Sequence, residues 1–586
     1  MSSTTSNPDF FKSNVLGHPS GLFVLFFTEM WERFSFYGMR VLLILFLTAA
    51  VSGDNPGWGW DTEKAAALFG TYAMLLYITP IFGGIIADKY WGYRWAVLVG
   101  SILMTLGHAA MALDTPLMLY VGLGLLVVGT GFFKPNMTSI LSEMYKSFPE
   151  KKDAAYTIFY MGVNAGAFFG MLLCGYLAKT KGWHWGFGLA GIFMLLGTLQ
   201  FWLAKPLFGS IGDVPSKIPQ EKTEDLKIST KEQDAKNPFT LVDKILIVIT
   251  TLIGLLYAFN DPISKIGGYN IFDFKINEID GSIFVVLIGL ILFLVLIISR
   301  MLRYTRVIRD RMIAVVVFAF FTIFFWMSFE QGASSLVIFA KNNVDRVLEG
   351  SSLTIFNVFN TLLTVIPLLI VSWVLFLLAK RTYKQALFTN VVLAITFIAI
   401  WGISIWMLAN EFTKTASEID PTWFSIMNSF FIITFASVVS KVWDSKYNPP
   451  AAVKYGLGLI IMAIGFGLLA YGSYGVTNDT MKVSMVWLVL AYLFHTLGEL
   501  CLSPVGLSYV SKLVPARMIA LMVGMWYLAI AIGNKLAGVL GGQIDKITEQ
   551  YSLSHFFLIF TIVPIVAGII VMLLHPVLKK LMHGVK

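Results

Sequence analysis

Stretches of about 20 apolar residues, parted by short polar loops, recur along almost the whole chain. In lipid a spanning segment has to satisfy its own backbone hydrogen bonds, so a series of such stretches folds as membrane-crossing helices. Their approximate bounds are 20–48, 65–87, 93–113, 117–142, 155–178, 184–205, 240–259, 281–302, 309–340, 353–379, 385–409, 422–443, 452–473, 483–510, 517–541 and 553–577, roughly sixteen in all. With 57% hydrophobic and 13% charged residues over 586 positions, a water-soluble fold would carry more apolar surface than its interior could hide. The expected class is an all-α polytopic membrane protein.

An even number of spans leaves both termini on one side, and the loop charges say which. Lys89 and Arg94, Lys146 to Lys152, Arg300 to Arg311, Lys380 to Lys384, Lys441 and Lys446, and Lys512 and Arg517 fall in alternate loops. The opposite loops carry Asp54, Asp61 and Glu63, then Asp114, then Asp273 and Glu278, then Glu411, Glu418 and Asp420. Lys and Arg accumulate on the cytoplasmic side, so both termini are expected there. The net charge of +9 is thereby assigned to membrane orientation, and no nucleic acid is expected as partner. The first twenty residues lack the apolar core and cleavage site of a secretory signal, so the first span is expected to stay in place. Cys174 and Cys501 lie in separate apolar segments without metal-like spacing and read as packing residues.

Charges inside the spans are the second signal. The first span contains Glu29, Glu32, Arg33 and Arg40, although each ionisable group at bilayer depth costs at least about 2.5–3.5 kcal/mol. At about 100° per residue these four and Tyr37 fall on one broad helical face, with Glu29 and Arg33 four apart and able to pair. Lys134 beside Pro135, Glu330, and Glu499 are further charges at depth. Together they indicate a polar cavity that recognises or moves something charged. Lys535, near the end of its span, is expected to snorkel. His495 reads as a hydrogen-bonded core histidine. Gly122, Gly124, Gly129 and Gly131 lie in an apolar helix with no preceding strand, so they read as packing positions and not as a nucleotide loop. There is no HExxH or GxSxG motif, and no catalytic constellation.

Six spans precede a break at about residues 208–238, rich in Lys, Glu, Asp and Pro, which reads as a cytoplasmic linker. A helix pair follows it, its two helices separated by the polar break at 260–280, and reads as an insertion without a strongly buried charge.

At this point the residues resemble a known family. The string from Glu29 to Gly38 is similar to the ExxERFxYYG signature of proton-dependent oligopeptide transporters, a branch of the major facilitator superfamily. Gly83 to Asp88 with Gly92 and Arg94 resembles the facilitator loop after the second helix. Gly131 to Asn136 resembles the family's FKPN segment, Phe159, Tyr160 and Asn164 its FYxxxN segment, and Gly498 to Pro504 with Gly506 and Leu507 its GELxxSPxGL segment. Trp526 resembles a pocket tryptophan.

The resemblance implies a proton-coupled symporter that imports di- and tripeptides by alternating access, with protons as coupling ion, no cofactor, no enzymatic activity, and membrane lipid as its surroundings. It implies a major facilitator fold of two six-helix bundles with about four extra helices. Residues 1–206 would form the N-terminal bundle, 207–239 the linker and 240–304 an inserted pair. The C-terminal bundle, 305–586, would hold a second pair at about 352–410. Carried over by position, Arg40 would take the peptide carboxylate and exchange partners with Glu330, the coupling acid. Lys134 would pair with Glu29 and Glu32 in a proton-responsive network with Arg33, and these cations would also border the substrate. Glu499 would take the amino group, Asn164, Tyr37 and Tyr77 the peptide backbone, and Trp326 and Trp526 would wall side-chain pockets. Asn428 joins the binding set, although Ser429 follows it where the family commonly has proline. Phe36 stands where a tyrosine is frequent, which leaves a carrier of another amphoteric or anionic solute as the alternative. An intramembrane enzyme or non-transporting receptor is the third reading. The expected location is the plasma membrane, a bacterial inner membrane.

Overall fold

The computed structural model describes residues 14–214, 237–276, 279–443, 445–446, 448–476, 481–502 and 506–585. Most of the linker at 207–239, and Ser503 and Pro504 of the resemblance, lie outside the described residues. In chain order the main helices are α1 (Ser20–Thr48), α2 (Thr62–Ile86), α3 (Tyr93–Met111), α4 (Pro116–Met144), α5 (Lys152–Lys181), α6 (Trp183–Leu203), α7 (Leu241–Gly267), α8 (Gly281–Met301), α9 (Arg306–Phe329) and α10 (Ser335–Asn343). They continue with α11 (Gly350–Thr382), α12 (Leu387–Phe412), α13 (Pro421–Trp443), α14 (Ala451–Gly472), α15 (Met485–Leu502), α16 (Gly506–Leu513), α17 (Ala516–Gly541), α18 (Ile544–Gln550) and α19 (Leu553–Leu573). Among the described residues fifteen helical segments are long and apolar enough to cross a membrane. The 29-residue α1, whose charges Glu29, Glu32, Arg33 and Arg40 lie along its middle, completes the expected set.

The contacts divide the chain into two units. One comprises Met1–Gly59, Thr79–Ile218 and Val337–Ile433, the other Trp60–Ile78, Pro219–Leu336 and Thr434–Lys586. In the first, glycines let helix backbones touch. On α5, Gly162, Gly166 and Gly170 follow one another at four-residue intervals along the face that meets α1, where a Cβ would come within 2.8, 2.1 and 2.2 Å of the Phe26, Met30 and Phe34 carbonyl oxygens. Gly122 and Gly129 of α4 meet α3 in the same way, and Gly131 meets Thr79, as the packing reading requires, whereas Gly124 faces open space. Gly166→Val is therefore expected to cost about 1–3 kcal/mol or more by overpacking, read as a lowered melting temperature in detergent. Gly124→Val should leave that temperature unchanged.

The helix pair at about 352–410 is α11 and α12, and it packs within the first unit. Phe397 of α12 meets Phe27 and Trp31 of α1, with ring centroids 5.6 and 5.7 Å apart, and Thr389 donates to the Gln200 carbonyl of α6 at 3.4 Å. The strand residues Val347–Glu349 and Ala416–Glu418, which flank the pair, close its open end as a short antiparallel ladder.

In the second unit α14 meets α19 through Gly456 and Gly568, and α15 through Gly458 and Gly498. The pair α7 and α8 departs from expectation in two ways. First, α7 continues past Ala258 through Asn260, Asp261 and Pro262 to Gly267, because a helix can absorb one proline where its freed carbonyl finds another partner. Second, the pair does bury charge. Asp243 caps the start of α7 through a reciprocal box with Thr240, and accepts from both guanidinium nitrogens of Arg303 at 2.9 and 3.0 Å and from the fully buried Arg300 at 3.4 Å.

Candidate functional site

The charged face of α1 folds into a compact ionic group. Arg33 donates through Nε to Glu29 Oε1 at 2.7 Å, one turn back on the helix, and Glu32 Oε2 lies 2.8 Å from the same nitrogen. Glu29, Glu32 and Arg33 are 4%, 0% and 6% exposed, so water does little to screen them. One N–H serves one acceptor well. Accordingly neither oxygen of Glu32 accepts a hydrogen bond from a described residue, although both are buried. A buried carboxylate that is charge-paired but not hydrogen-bonded is chemically suited to bind and release a proton.

Lys134 reaches this group from α4 and interacts electrostatically with Arg33, Glu32, Glu29 and Arg40. Its position depends on Pro135, which cannot bond back to the Gly131 carbonyl. Gly83 of α2 packs against that same carbonyl, where a Cβ would come within 2.0 Å of the oxygen, and Asn136 donates to the Phe132 carbonyl at 2.6 Å. The two motifs, one after the second span and one in the fourth, are thus parts of a single helix contact. Arg40 stands further along α1. The Phe36 ring lies between the two guanidiniums, with Arg33 Cζ 5.6 Å and Arg40 Cζ 5.7 Å from its centroid. Where a tyrosine would bring a hydroxyl, this chain has an uncharged aromatic spacer that keeps two like charges apart. Three cations against two carboxylates leave the group one positive charge in excess when all are ionised, which favours an anionic ligand group. Tyr37 packs edge-on against Phe36 at 4.9 Å. Asn164 of α5 is 5% exposed and donates its amide to Tyr160 one turn back, which leaves its carbonyl oxygen as an acceptor. Asn428 is half-buried on α13.

The remaining residues named from sequence belong to the second unit. Tyr77 of α2 faces Trp326 of α9 at 6.3 Å between centroids, and Phe325 and Phe329 flank the indole at 5.7 and 5.5 Å. Glu330, 3% exposed, is the C-cap of α9, where the chain tightens into the 3₁₀ turn Glu330–Ala333. Gln331 fixes that turn by donating to the Met327 and Ala537 carbonyls, both at 3.1 Å. Trp526 of α17 is 3% exposed, and Glu499 of α15 is half-buried. His495 is buried as expected, its ring 4.4 Å from that of Phe466, but its Nε2 finds no hydrogen-bond partner among the described residues.

Sequence reasoning missed one polar group. Lys535 does not snorkel. It is 5% exposed and donates to Asp261 of α7 at 2.5 Å and to Thr71 of α2 at 2.8 Å. The available signal was Asp261 itself, one turn beyond the apolar run of α7. Among the described residues no group of three or more His, Cys, Asp or Glu could hold a metal ion.

A family model described as the POT family matches residues 94–391 and 386–559. Among curated proteins, "Peptide transporter YePEPT" of Yersinia enterocolitica is 30% identical over 592 residues, covering 100% of this chain and 99% of its own length. A "Di-/tripeptide transporter" of Lactococcus lactis is 28% identical, over 98% of this chain and 99% of its own. A solved peptide transporter POT in complex with sulfate aligns at TM-score 0.68 and 29% identity, over 97% of both chains. A POT family transporter in complex with 5-aminolevulinic acid aligns at 0.70 and 26%, over 97% of this chain and 98% of that one.

Proposed function

Because this chain belongs to the POT family, and is a transporter and not an enzyme, we propose that it imports di- and tripeptides together with protons by alternating access. The observation that carries this reading is the ionic group of buried Glu29, Glu32 and Arg33 with half-buried Lys134 and Arg40, its excess positive charge, and the Glu32 oxygens that accept no hydrogen bond from a described residue. A short peptide varies in its side chains but not in its terminal charges, so fixed cationic and anionic poles can hold many sequences.

In this scheme Arg40 takes the peptide carboxylate, Glu499 the amino group, and Asn164, Asn428, Tyr37 and Tyr77 the backbone amides. Trp326 and Trp526 wall the side-chain pockets. Protonation of Glu330 frees Arg40 for the substrate, and deprotonation takes it back, while Glu29, Glu32, Arg33 and Lys134 relay the charge. Residues 1–206 and 305–586 serve as the two six-helix bundles, with the helix pairs at 240–304 and about 352–410 as additions. The protein works in a bacterial inner membrane with both termini in the cytoplasm, needs no cofactor beyond protons, and has no nucleic-acid partner.

Uptake of labelled Ala-Ala into proteoliposomes under an inside-alkaline gradient tests this. Accumulation that rises with the gradient is expected, and uptake indifferent to the gradient would refute the coupling. The second reading, a carrier of another amphoteric solute, is favoured by Phe36 between the arginines and by the relative holding 5-aminolevulinic acid. Competition by free amino acids, 5-aminolevulinic acid and peptides of graded length separates the two.

A further inference from the structure

Lys535 is the hub of an ionic network that links four helices of one unit. Besides Asp261 and Thr71, it connects through Asp261 to Lys265, one turn on along α7, at 3.1 Å. Lys265 reaches Glu63 at the start of α2 at 3.2 Å, and Glu63 meets Lys546 of α18 at 2.5 Å. Thr71 also donates to the Ala258 carbonyl of α7 at 3.0 Å. Next to this polar layer α2, α7 and α17 contribute Met74, Ala258 and Ala531 to a buried cluster, against which Tyr77 and Ile78 pack. At the same level a Cβ on Gly70 of α2 would come within 3.0 Å of the Gly538 Cα of α17.

Helix α2 changes partners just beyond this layer. Trp60–Ile78 cluster with the network, whereas from Thr79 the helix belongs with α4, Thr79 donating to the Val127 carbonyl at 2.9 Å. Pro80 stands at the change, where its missing N–H leaves α2 a point of flexure. A buried ion pair is a poor way to glue helices, because desolvation offsets most of the attraction, and a well-packed apolar seam would hold as firmly. What an ion pair with several donors adds is a discrete contact that can be made and broken as helices shift.

We propose that the Asp261–Lys535 pair is a lock by which the inserted helix α7 holds the first part of α2, and with it Tyr77, against α17, and that the lock parts and re-forms in each transport cycle. The proposal rests on the transport reading. Asp261 and Lys535 act as positioning residues, and α7 becomes a working part of the carrier.

The test compares the parent with Asp261→Asn, Lys535→Met, the neutral double Asp261→Asn/Lys535→Met and the exchanged Asp261→Lys/Lys535→Asp, all full-length in proteoliposomes. Each is scored for Ala-Ala uptake and for melting temperature in detergent. Each single change should lower the maximal rate about tenfold with KM within about twofold of the parent. The neutral double should regain the parent's melting temperature yet remain at least about fivefold slow, and the exchanged pair should return to within about twofold of the parent rate. A neutral double that transports at the parent rate overturns the lock and leaves a purely structural pair. So does an exchanged pair that melts like the parent and moves peptide no faster than Asp261→Asn. A parent that moves no Ala-Ala would instead count against the transport reading, which is scored on the parent alone.

Discussion

Glu330→Gln is expected to abolish gradient-driven accumulation of Ala-Ala while counterflow exchange of the same peptide persists. Glutamine keeps the size of glutamate and, like the protonated acid, both donates and accepts hydrogen bonds, but it cannot take up or release a proton, so on the proposed scheme it removes the coupling site and little else. The backbone there does not depend on the charge, because the turn that follows is fixed by Gln331 on the Met327 and Ala537 carbonyls. Each positive charge that crosses 100 mV contributes about 2.3 kcal/mol, so losing one coupled proton removes about 50-fold of accumulation. The measurement is the ratio of internal to external labelled peptide at steady state under an imposed gradient. A variant that still concentrates peptide like the parent would show that the coupling acid lies elsewhere.

The second large effect is expected at Arg33. Its guanidinium Nε stands within 3 Å of both Glu29 and Glu32, and Arg33→Gln takes that counter-charge away from two buried carboxylates. Breaking a buried pair by removing one partner costs about 3–5 kcal/mol, a large part of a typical folding free energy. The variant should melt far below the parent in detergent and fail to transport. Adding Glu29→Gln removes one of the stranded charges and should recover much of the melting temperature without recovering uptake. If Arg33→Gln alone melts with the parent, the ionic group is not what organises this end of the fold.

The helices were legible because hydropathy is a local property, and the ionic group on α1 was legible because its members lie within one helix at spacings of three and four residues. Lys535 was not, for the opposite reason. Its partner Asp261 is 274 residues away, and no periodicity links the two. The same segment misled the helix boundary, since Asn260, Asp261 and Pro262 together read as a break when Asp261 is in fact the anchoring residue of a continuing helix. Phe36 could be recognised as a departure from a tyrosine, but its place between Arg33 and Arg40 needed the ring geometry. The packing of α11 and α12 against α1 and α6 was likewise invisible, because apolar faces that meet lipid and apolar faces that meet helices have the same composition.

The glycine-to-carbonyl contacts between α5 and α1 have a dynamic meaning. Side chains in a packed interface can hop between rotamers and let helices slide, but main chain resting on main chain at three successive turns has no such slack. The two helices are therefore expected to move as one stiff plate. On the proposed scheme Asn164 and Arg33, which border the substrate, and Glu29 of the proton network would ride on it at constant spacing, so the carrier would swing them as a preassembled cassette and would not rebuild them on each side of the membrane.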